Sequence, residues 1–255
     1  MALETIVTPC REDNYGYILR DGATGAVAVV DAPEEAPLVA ALDKRGWGLD
    51  LILLTHHHPD HVEAVEPLRK RYGAKTWGAA ADRHRLPPLD RELTEGDEIA
   101  LGESAARVID VSGHTVGHIA FLFDGAAFSA DSLMALGCGR VFEGTHLMMW
   151  ESLSKFLTLP PETLIYSGHN YGQANGRFAL SIEPENQALI DRIERIREAD
   201  RIGAPICPAT LAEELATNPF LRAREAAVKA AVGLPEGEDA AVFAEIRRRK
   251  DNFRG

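Results

Sequence analysis

The sequence has few cysteines, and this scarcity excludes one class of small secreted protein. Its three cysteines, Cys10, Cys138 and Cys207, are odd in number, widely spaced and never part of a CxxC pair. Secreted domains that depend on disulfides carry denser cysteine patterns. A disulfide framework is therefore not expected, and the cysteine usage favours a reducing, cytoplasmic location.

Long apolar runs and an excess of basic residues are also missing. No run approaches the ~18 residues of a membrane helix, and the N-terminus lacks the basic start and apolar core of a signal peptide. Lys and Arg number 27 against 39 Asp and Glu, which gives a formal net charge of −12. Neither nucleic acid nor a membrane is expected as a partner. A local basic site for a small anionic ligand stays open, and we expect a monomer.

The 255 residues read as one large domain with an appendage. Short apolar segments bounded by turn residues predict strands in the first two-thirds, and an early proline with a glycine stop predicts a helix over 33–46. In the last third, apolar residues at helical spacing predict helices over 186–203, 219–233 and 239–253. The predicted strands are 4–8, 15–20, 26–31, 49–55, 105–111, 118–123, 126–130 and 163–166.

The stretch THHHPDH (55–61) places four of the nine histidines within six residues. In an extended segment His56 and His58 point to one side and can bind one metal ion, while His57 points away. Pro59 favours the extended geometry of the residue before it. Asp60 and His61 follow the turn and could serve a second ion. In the alternative interpretation, Asp60 and Glu63 only cap a helix.

Further metal ligands are predicted later in the chain. His114, Asp131 and His169 each follow a strand-like segment beside small residues, as expected of side chains that converge on one rim of a sheet sandwich. His118 starts a strand and is expected to orient a neighbour rather than bind metal. His84 and His146 are assigned structural or surface roles. Imidazole and carboxylate ligands favour zinc, with iron or manganese as alternatives.

These motifs resemble the metallo-β-lactamase superfamily, which implies an α/β fold, the αββα sandwich, with a metal site at one edge. A narrower resemblance is to the hydroxyacylglutathione hydrolase (glyoxalase II) family, and it runs almost from end to end. It is carried by DNYGYI (13–18), GCGRVFEGT (137–145), LPPETLIYSGHNY (159–171), NPFLR (218–222) and RRRKDNF (247–253). It implies a catalytic domain over 1–168 and a C-terminal α-helical domain over 169–255 that binds glutathione.

The resemblance also implies roles for individual residues. Two divalent metal ions are expected, one on His56, His58 and His114 and the other on Asp60, His61 and His169, with Asp131 bridging. Arg140, Tyr171, Arg247 and Lys250 fall at the positions of the family's glutathione contacts. Phe142 stands where many members carry a tyrosine, so a hydroxyl contact is expected to be lost there. Ser132, Asn170 and Ser112 are further departures, and none of them removes a metal ligand.

The activity that the resemblance implies is hydrolysis of S-(2-hydroxyacyl)glutathione, chiefly S-D-lactoylglutathione, in methylglyoxal detoxification. A hydroxide bridging the two metals would attack the thioester carbonyl, and Asp60 and Asp131 would hold it and accept its proton. Cys138 is expected to be structural. The alternatives are a glutathione persulfide dioxygenase with one iron, a β-lactamase, and a non-catalytic metal-binding module.

Overall fold

The computed structural model describes residues 3–255, which divide into two compact units. The first unit contains the chain up to Val111 together with Val116–Ala130, and the second contains Ser112–Thr115 with Asp131–Gly255. The first two residues of the predicted catalytic domain lie outside the described residues. The predicted boundary between residues 168 and 169 stays a prediction.

The first unit is built on β-strands. Six strands form one sheet in chain order, antiparallel from the first to the third strand and parallel from there on: β1 Leu3–Cys10, β2 Asn14–Asp21, β3 Val27–Val30, β4 Leu51–Leu53, β5 Lys75–Ala79 and β6 Arg91–Leu93. Four more strands pair antiparallel with their neighbours in chain order: β7 Glu98–Leu101, β8 Ser104–Asp110, β9 Ile119–Phe123 and β10 Ala126–Ala130.

Successive side chains along the strands of the first sheet point to opposite faces, and both faces are packed against other elements. Ile18, Val29 and Ile52 are register partners and share one core cluster with apolar residues of two helices, α1 (Glu35–Asp43) and α3 (Val65–Tyr72). Tyr17 points to the opposite face, where its ring contacts Phe128 of β10 with centroids 5.6 Å apart. Two sheets packed on each other, with helices outside, follow from this period of two.

The second unit is mainly helical. It contains a small hairpin, β11 Leu133–Met134 with β12 Gly137–Cys138, and an antiparallel pair, β13 Leu164–Ser167 with β14 Ala209–Thr210. Leu189, Ile193 and Ile196 form the buried face of its longest helix and pack with Leu136 and Ala179. The helices are α4 His146–Phe156, α5 Gly172–Ile182, α6 Gln187–Arg201, α7 Leu211–Thr217, α8 Ala226–Ala231 and α9 Asp239–Asn252.

The helix predicted over 219–233 is wrong in its first half, because only Ala226–Ala231 is helical there. Asn218 Oδ1 accepts a hydrogen bond from the amide of Phe220, which favours a turn. Arg222 then donates two hydrogen bonds, of 2.7 and 2.8 Å, to Glu183. These side-chain bonds hold 218–225 as turns, and the predicted helices over 186–203 and 239–253 are confirmed.

Two exclusions made from composition can be compared with the described residues. Across 3–255, no helix has both the length and the apolar character that crossing a bilayer requires. The cysteines Cys10, Cys138 and Cys207 are free and buried.

Candidate active site

The N-terminal ligand segment, Thr55–Val62, leaves the C-terminal end of β4 and is anchored at its first residue. The amide of Thr55 donates to Asp31 Oδ1 at 2.9 Å, and its hydroxyl donates to Asp31 Oδ2 at 2.8 Å. The amide of Ile119 donates to the carbonyl of Thr55 at 2.9 Å. Because its amide, hydroxyl and carbonyl groups are all hydrogen-bonded, Thr55 fixes the backbone position from which the following histidines project.

His56 and His58 lie together, as their spacing predicts. His56 Nε2 is 3.1 Å from His58 Nδ1, and the two rings are 4.7 Å apart. His58 is extended at ψ 140°, and Pro59 then opens the short helix α2 (Pro59–Val62). His57 points elsewhere, as predicted, and its Nδ1 lies 2.9 Å from Asp82 Oδ2. Two ring nitrogens at this distance share a hydrogen bond or bind one cation together.

Asp60 and His61 form the second half of this segment. Asp60 Oδ2 lies 3.8 Å from His61 Nε2 and accepts a hydrogen bond from Asn14 Nδ2 at 3.0 Å. No side-chain cap hydrogen bond is made at the start of α2, whose N-cap is His58, so the interpretation of Asp60 as a helix cap alone is wrong. Asn14 instead holds the carboxylate of Asp60 close to the ring of His61.

Asp31 is a residue of this site that the sequence interpretation missed. Besides holding Thr55, its Oδ2 lies 2.8 Å from His61 Nδ1, which leaves the other ring nitrogen of His61 turned toward Asp60. Atoms of Asp31, His56 and His61 that could ligate a metal lie within 4.8 Å of one another. Asp31 has φ +56°, a conformation that non-glycine residues rarely adopt and that often marks a functional site. Asp31 ends a predicted strand, 26–31, and this position was the signal that the sequence offered.

The second ligand group, His114, Asp131 and His169, also comes together. Asp131 Oδ2 lies 3.4 Å from His114 Nε2 and 3.3 Å from His169 Nε2. His114 Nδ1 lies 2.7 Å from the carbonyl of Arg140, so this nitrogen carries the proton and donates it. In neutral imidazole, His114 Nε2 is then an acceptor that faces a carboxylate oxygen. A cation between these two acceptors would stabilise them, so this donor set fits a divalent metal.

The backbone brings the second ligand group together through two unusual residues. Ala130 has φ +42° at the end of β10, just before Asp131. The amide of Gly139 donates to the carbonyl of Asp131 at 3.0 Å. A Cβ on Gly139 would lie 2.1 Å from that carbonyl oxygen and 2.8 Å from His114 Nδ1. Only glycine allows the chain to pass this close to the ligands.

Three of the residues predicted to contact substrate surround the second ligand group. The ring of Tyr171 stacks on His169 with centroids 4.7 Å apart and planes 7° apart. The ring of Phe142 meets His114 edge-on at 5.3 Å, and the guanidinium of Arg140 lies 5.5 Å from the same ring. Phe142 is 61% exposed, so its ring is accessible to a ligand.

The other two, Arg247 and Lys250, lie on α9. Arg247 is buried and donates to the carbonyl of Cys138 at 3.0 Å and to Asp251 at 2.8 Å, so it also holds the segment that leads to Arg140. Lys250 Nζ donates to the carbonyl of Ala174 at 3.1 Å. Burial, together with the nearby positive charge of Arg247, lowers the pKa of Lys250 to about 8. Direct contact of either residue with substrate stays a prediction.

Two further predictions about single residues agree with the geometry. His118 stacks on His56 with centroids 4.5 Å apart and planes 13° apart, which suits a residue that orients a neighbour. Burial raises the pKa of the Cys138 thiol to about 11, because the thiolate would be desolvated. A thiol that stays protonated is a poor nucleophile, which fits the structural role expected of Cys138.

Comparison with known proteins adds to this geometry. The model of the metallo-β-lactamase superfamily matches residues 14–169, and that of the hydroxyacylglutathione hydrolase C-terminus matches 170–253. A hydroxyacylglutathione hydrolase of Cereibacter sphaeroides is 59% identical over 99% of this chain and 100% of its own length. One of Jannaschia sp. is 56% identical over 98% of each chain.

Solved structures support the same architecture. ETHE1 from Myxococcus xanthus aligns with TM-score 0.65 at 23% identity, over 97% of this chain and 90% of that one. TTHA1623 in a di-iron-bound form aligns with TM-score 0.63 at 26% identity, over 84% of this chain and 98% of that one.

The fold and the clustered His and Asp side chains define a metal-binding protein of the metallo-β-lactamase superfamily with a C-terminal helical domain. Within that superfamily, the chain belongs to the hydroxyacylglutathione hydrolase family, and it is a thioester hydrolase.

Proposed function

We propose that this protein hydrolyses S-(2-hydroxyacyl)glutathione, chiefly S-D-lactoylglutathione, to glutathione and D-lactate. Full-length similarity to proteins named hydroxyacylglutathione hydrolase is the observation that carries the proposal. The net charge of −12 and the three free cysteines support a cytoplasmic enzyme that binds no nucleic acid. We further propose that it acts as a monomer.

The proposed cofactor is a pair of divalent metal ions, zinc in the first instance, with iron or manganese as alternatives. Their proposed ligands are His56, His58 and His114 for one ion and Asp60, His61 and His169 for the other, with Asp131 shared. The chemistry of the donors supports this, since seven imidazole and carboxylate groups are too many for one closed tetrahedral site. The di-iron-bound form of TTHA1623 is consistent with a pair of ions in this fold.

The protein's own groups would then carry the proton transfers. When bound, divalent ions lower the pKa of a coordinated water from ~16 toward ~7 and polarise a carbonyl oxygen. The oxygen of the attacking water bonds to the carbonyl carbon, and the proton that it loses passes to Asp60 or Asp131. The bond between the carbonyl carbon and sulfur breaks, and glutathione leaves as its thiolate. A thiolate is a good leaving group, so no strong general acid is required of the chain.

Recognition of the glutathione carboxylates is proposed for basic residues of the second unit. Arg140 and Lys250 supply positive charge, and Tyr171 supplies a hydroxyl on a ring already fixed against His169. Arg247 is proposed to contribute its charge while its hydrogen bonds to Cys138 and Asp251 keep it in place. An acidic protein needs such a local basic site to hold an anionic substrate.

The direct test follows loss of the thioester absorbance of S-D-lactoylglutathione with purified, metal-loaded protein. Turnover is expected, and a fully loaded sample that leaves the thioester intact would overturn the proposal. Oxygen uptake with glutathione persulfide, measured on the same preparation, would instead indicate a dioxygenase.

Replacing Asp131 tests the proposed shared ligand. Asp131→Ala removes the carboxylate that lies between His114 and His169. Metal content is expected to fall by one ion per chain, and kcat is expected to fall by at least about 100-fold. Metal analysis of the dialysed variant provides the measurement. Two tightly retained ions in Asp131→Ala would refute the shared role.

A further inference from the structure

His57 is the one histidine of the stretch 56–61 that the proposed chemistry does not use. It lies between His56 and His58, yet its side chain is only 15% exposed, and its Nδ1 contacts the buried carboxylate of Asp82 at 2.9 Å. A carboxylate only accepts hydrogen bonds, so His57 Nδ1 donates. A histidine that only made the surface polar would be exposed to solvent, whereas His57 is held by a buried acid.

Asp82 belongs to a longer chain of contacts. Its Oδ1 accepts a hydrogen bond from Arg85 Nε at 2.9 Å and a second from the Nη2 atom of the same guanidinium. Arg85 Nη2 also donates to the carbonyl of Val116 at 2.8 Å. Gly117 packs so closely that a Cβ there would lie 3.0 Å from Asp82 Oδ1. The acid is thus buried, paired with a cation and enclosed.

We propose that His57, held by Asp82 and Arg85, is a positioning residue that fixes the directions of His56 and His58 toward the metal. The inference rests on the metal ligands assigned under the proposed function. Thr55 anchors the segment at its first residue through Asp31, and His57 anchors it again two residues further on through Asp82. Because successive side chains of an extended segment point to opposite sides, holding His57 determines where its two neighbours point.

The consequence is expected in metal affinity rather than in the chemistry of the bound site. Partners that orient metal ligands typically contribute about 10–100-fold to metal affinity. His57→Ala removes the donor and frees the segment between Thr55 and Pro59. Metal affinity, measured by competition with a chromophoric chelator, should therefore fall about 10–100-fold. At saturating metal, hydrolysis should return to within a few-fold of the wild-type rate.

A conservative variant separates positioning from general stability. The amide nitrogen of asparagine can take the place of imidazole Nδ1, so His57→Asn keeps a donor for Asp82 and should restore most of the metal affinity. Asp82→Ala should weaken the metal as His57→Ala does, and His57→Ala alone carries the test if Asp82→Ala does not fold.

Asp21→Ala is the matched control. Asp21 is also a buried carboxylate of the first unit and accepts hydrogen bonds from Thr24 and Ser104, but it touches none of the ligand segment. It should lower the melting temperature of the metal-free protein and leave metal affinity unchanged.

The proposal is overturned if His57→Ala binds metal as tightly as the wild type, or if His57→Asn binds as weakly as His57→Ala. An equal loss of metal affinity in Asp21→Ala would likewise overturn it, because the effect would then be one of stability. The wild type is measured in parallel. Failure of the wild type to bind metal would count against the proposed function, whereas metal binding with unchanged variants counts only against the role of His57.

Discussion

Lys250 combines a predicted role in substrate binding with a lowered pKa of about 8. A lysine binds a carboxylate only as its ammonium, and the lowered pKa means that this charge is lost as pH rises through about 8. We expect kcat/KM for the glutathione thioester to fall above that pH, since kcat/KM reports the ionisation of the free enzyme.

Lys250→Arg is the informative variant, because a guanidinium stays charged across this range. Its kcat/KM should remain level between about pH 7 and about pH 9.5. Steady-state kinetics of both proteins over this range provide the measurement. An identical decline in wild type and Lys250→Arg would assign the ionisation to another group.

Phe142 offers a second change at the scale of one residue. It is 61% exposed, lies beside Arg140 and stands where the resemblance implies a tyrosine. Phe142→Tyr adds a hydroxyl to a ring already held by His114. One added hydrogen bond contributes about 0.5–1.5 kcal/mol, so KM should fall about 2–10-fold with kcat nearly unchanged. A KM that does not change would indicate that substrate does not reach this ring.

In the segment 137–140, the backbone can pass close to Asp131 and His114 because residue 139 is glycine. The Cβ of Gly139→Ala would collide with the carbonyl oxygen of Asp131 and with His114 Nδ1. The backbone must move away, and the 2.7 Å contact between His114 and the carbonyl of Arg140 moves with it. We therefore expect Gly139→Ala to lose most of its bound metal and activity.

Gly48→Ala is the matched control for this change. A Cβ on Gly48 meets nothing within 4 Å, and its φ does not require glycine. The same substitution there should leave metal content and kcat within experimental error. Metal analysis of both variants after dialysis checks the comparison, and full metal retention by Gly139→Ala would show that the segment can adjust.

At the scale of elements, local patterns were predictable and distant partners were not. The pairing of His56 with His58 follows from strand alternation and Pro59 alone. The contacts of Asp31 with His61 and of Asp82 with His57 join residues 30 and 25 positions apart, and no local pattern encodes them. The helix predicted over 219–233 fails for the same reason, because Arg222 bonds to Glu183 far away in sequence.

For the whole molecule, the arrangement of buried ligands predicts a dependence of stability on metal. His56, His61, His114, Asp131 and His169 are all buried, which places ionisable groups where water hydrates them poorly. A cation bound only by the folded chain stabilises it by about 2.7 kcal/mol when its concentration is 100 times its Kd.

Removing the metal with a chelator should therefore lower the melting temperature. A change of about 1 kcal/mol shifts Tm by about 2–4 °C in a protein of this size, so the expected loss is roughly 5–11 °C. Calorimetry of metal-loaded and chelated samples measures this loss, and adding zinc should reverse it. In Asp131→Ala the same chelation should change Tm less, because the variant holds one ion fewer to lose. Equal melting temperatures for loaded and chelated wild type would contradict this link between ligand burial and metal binding.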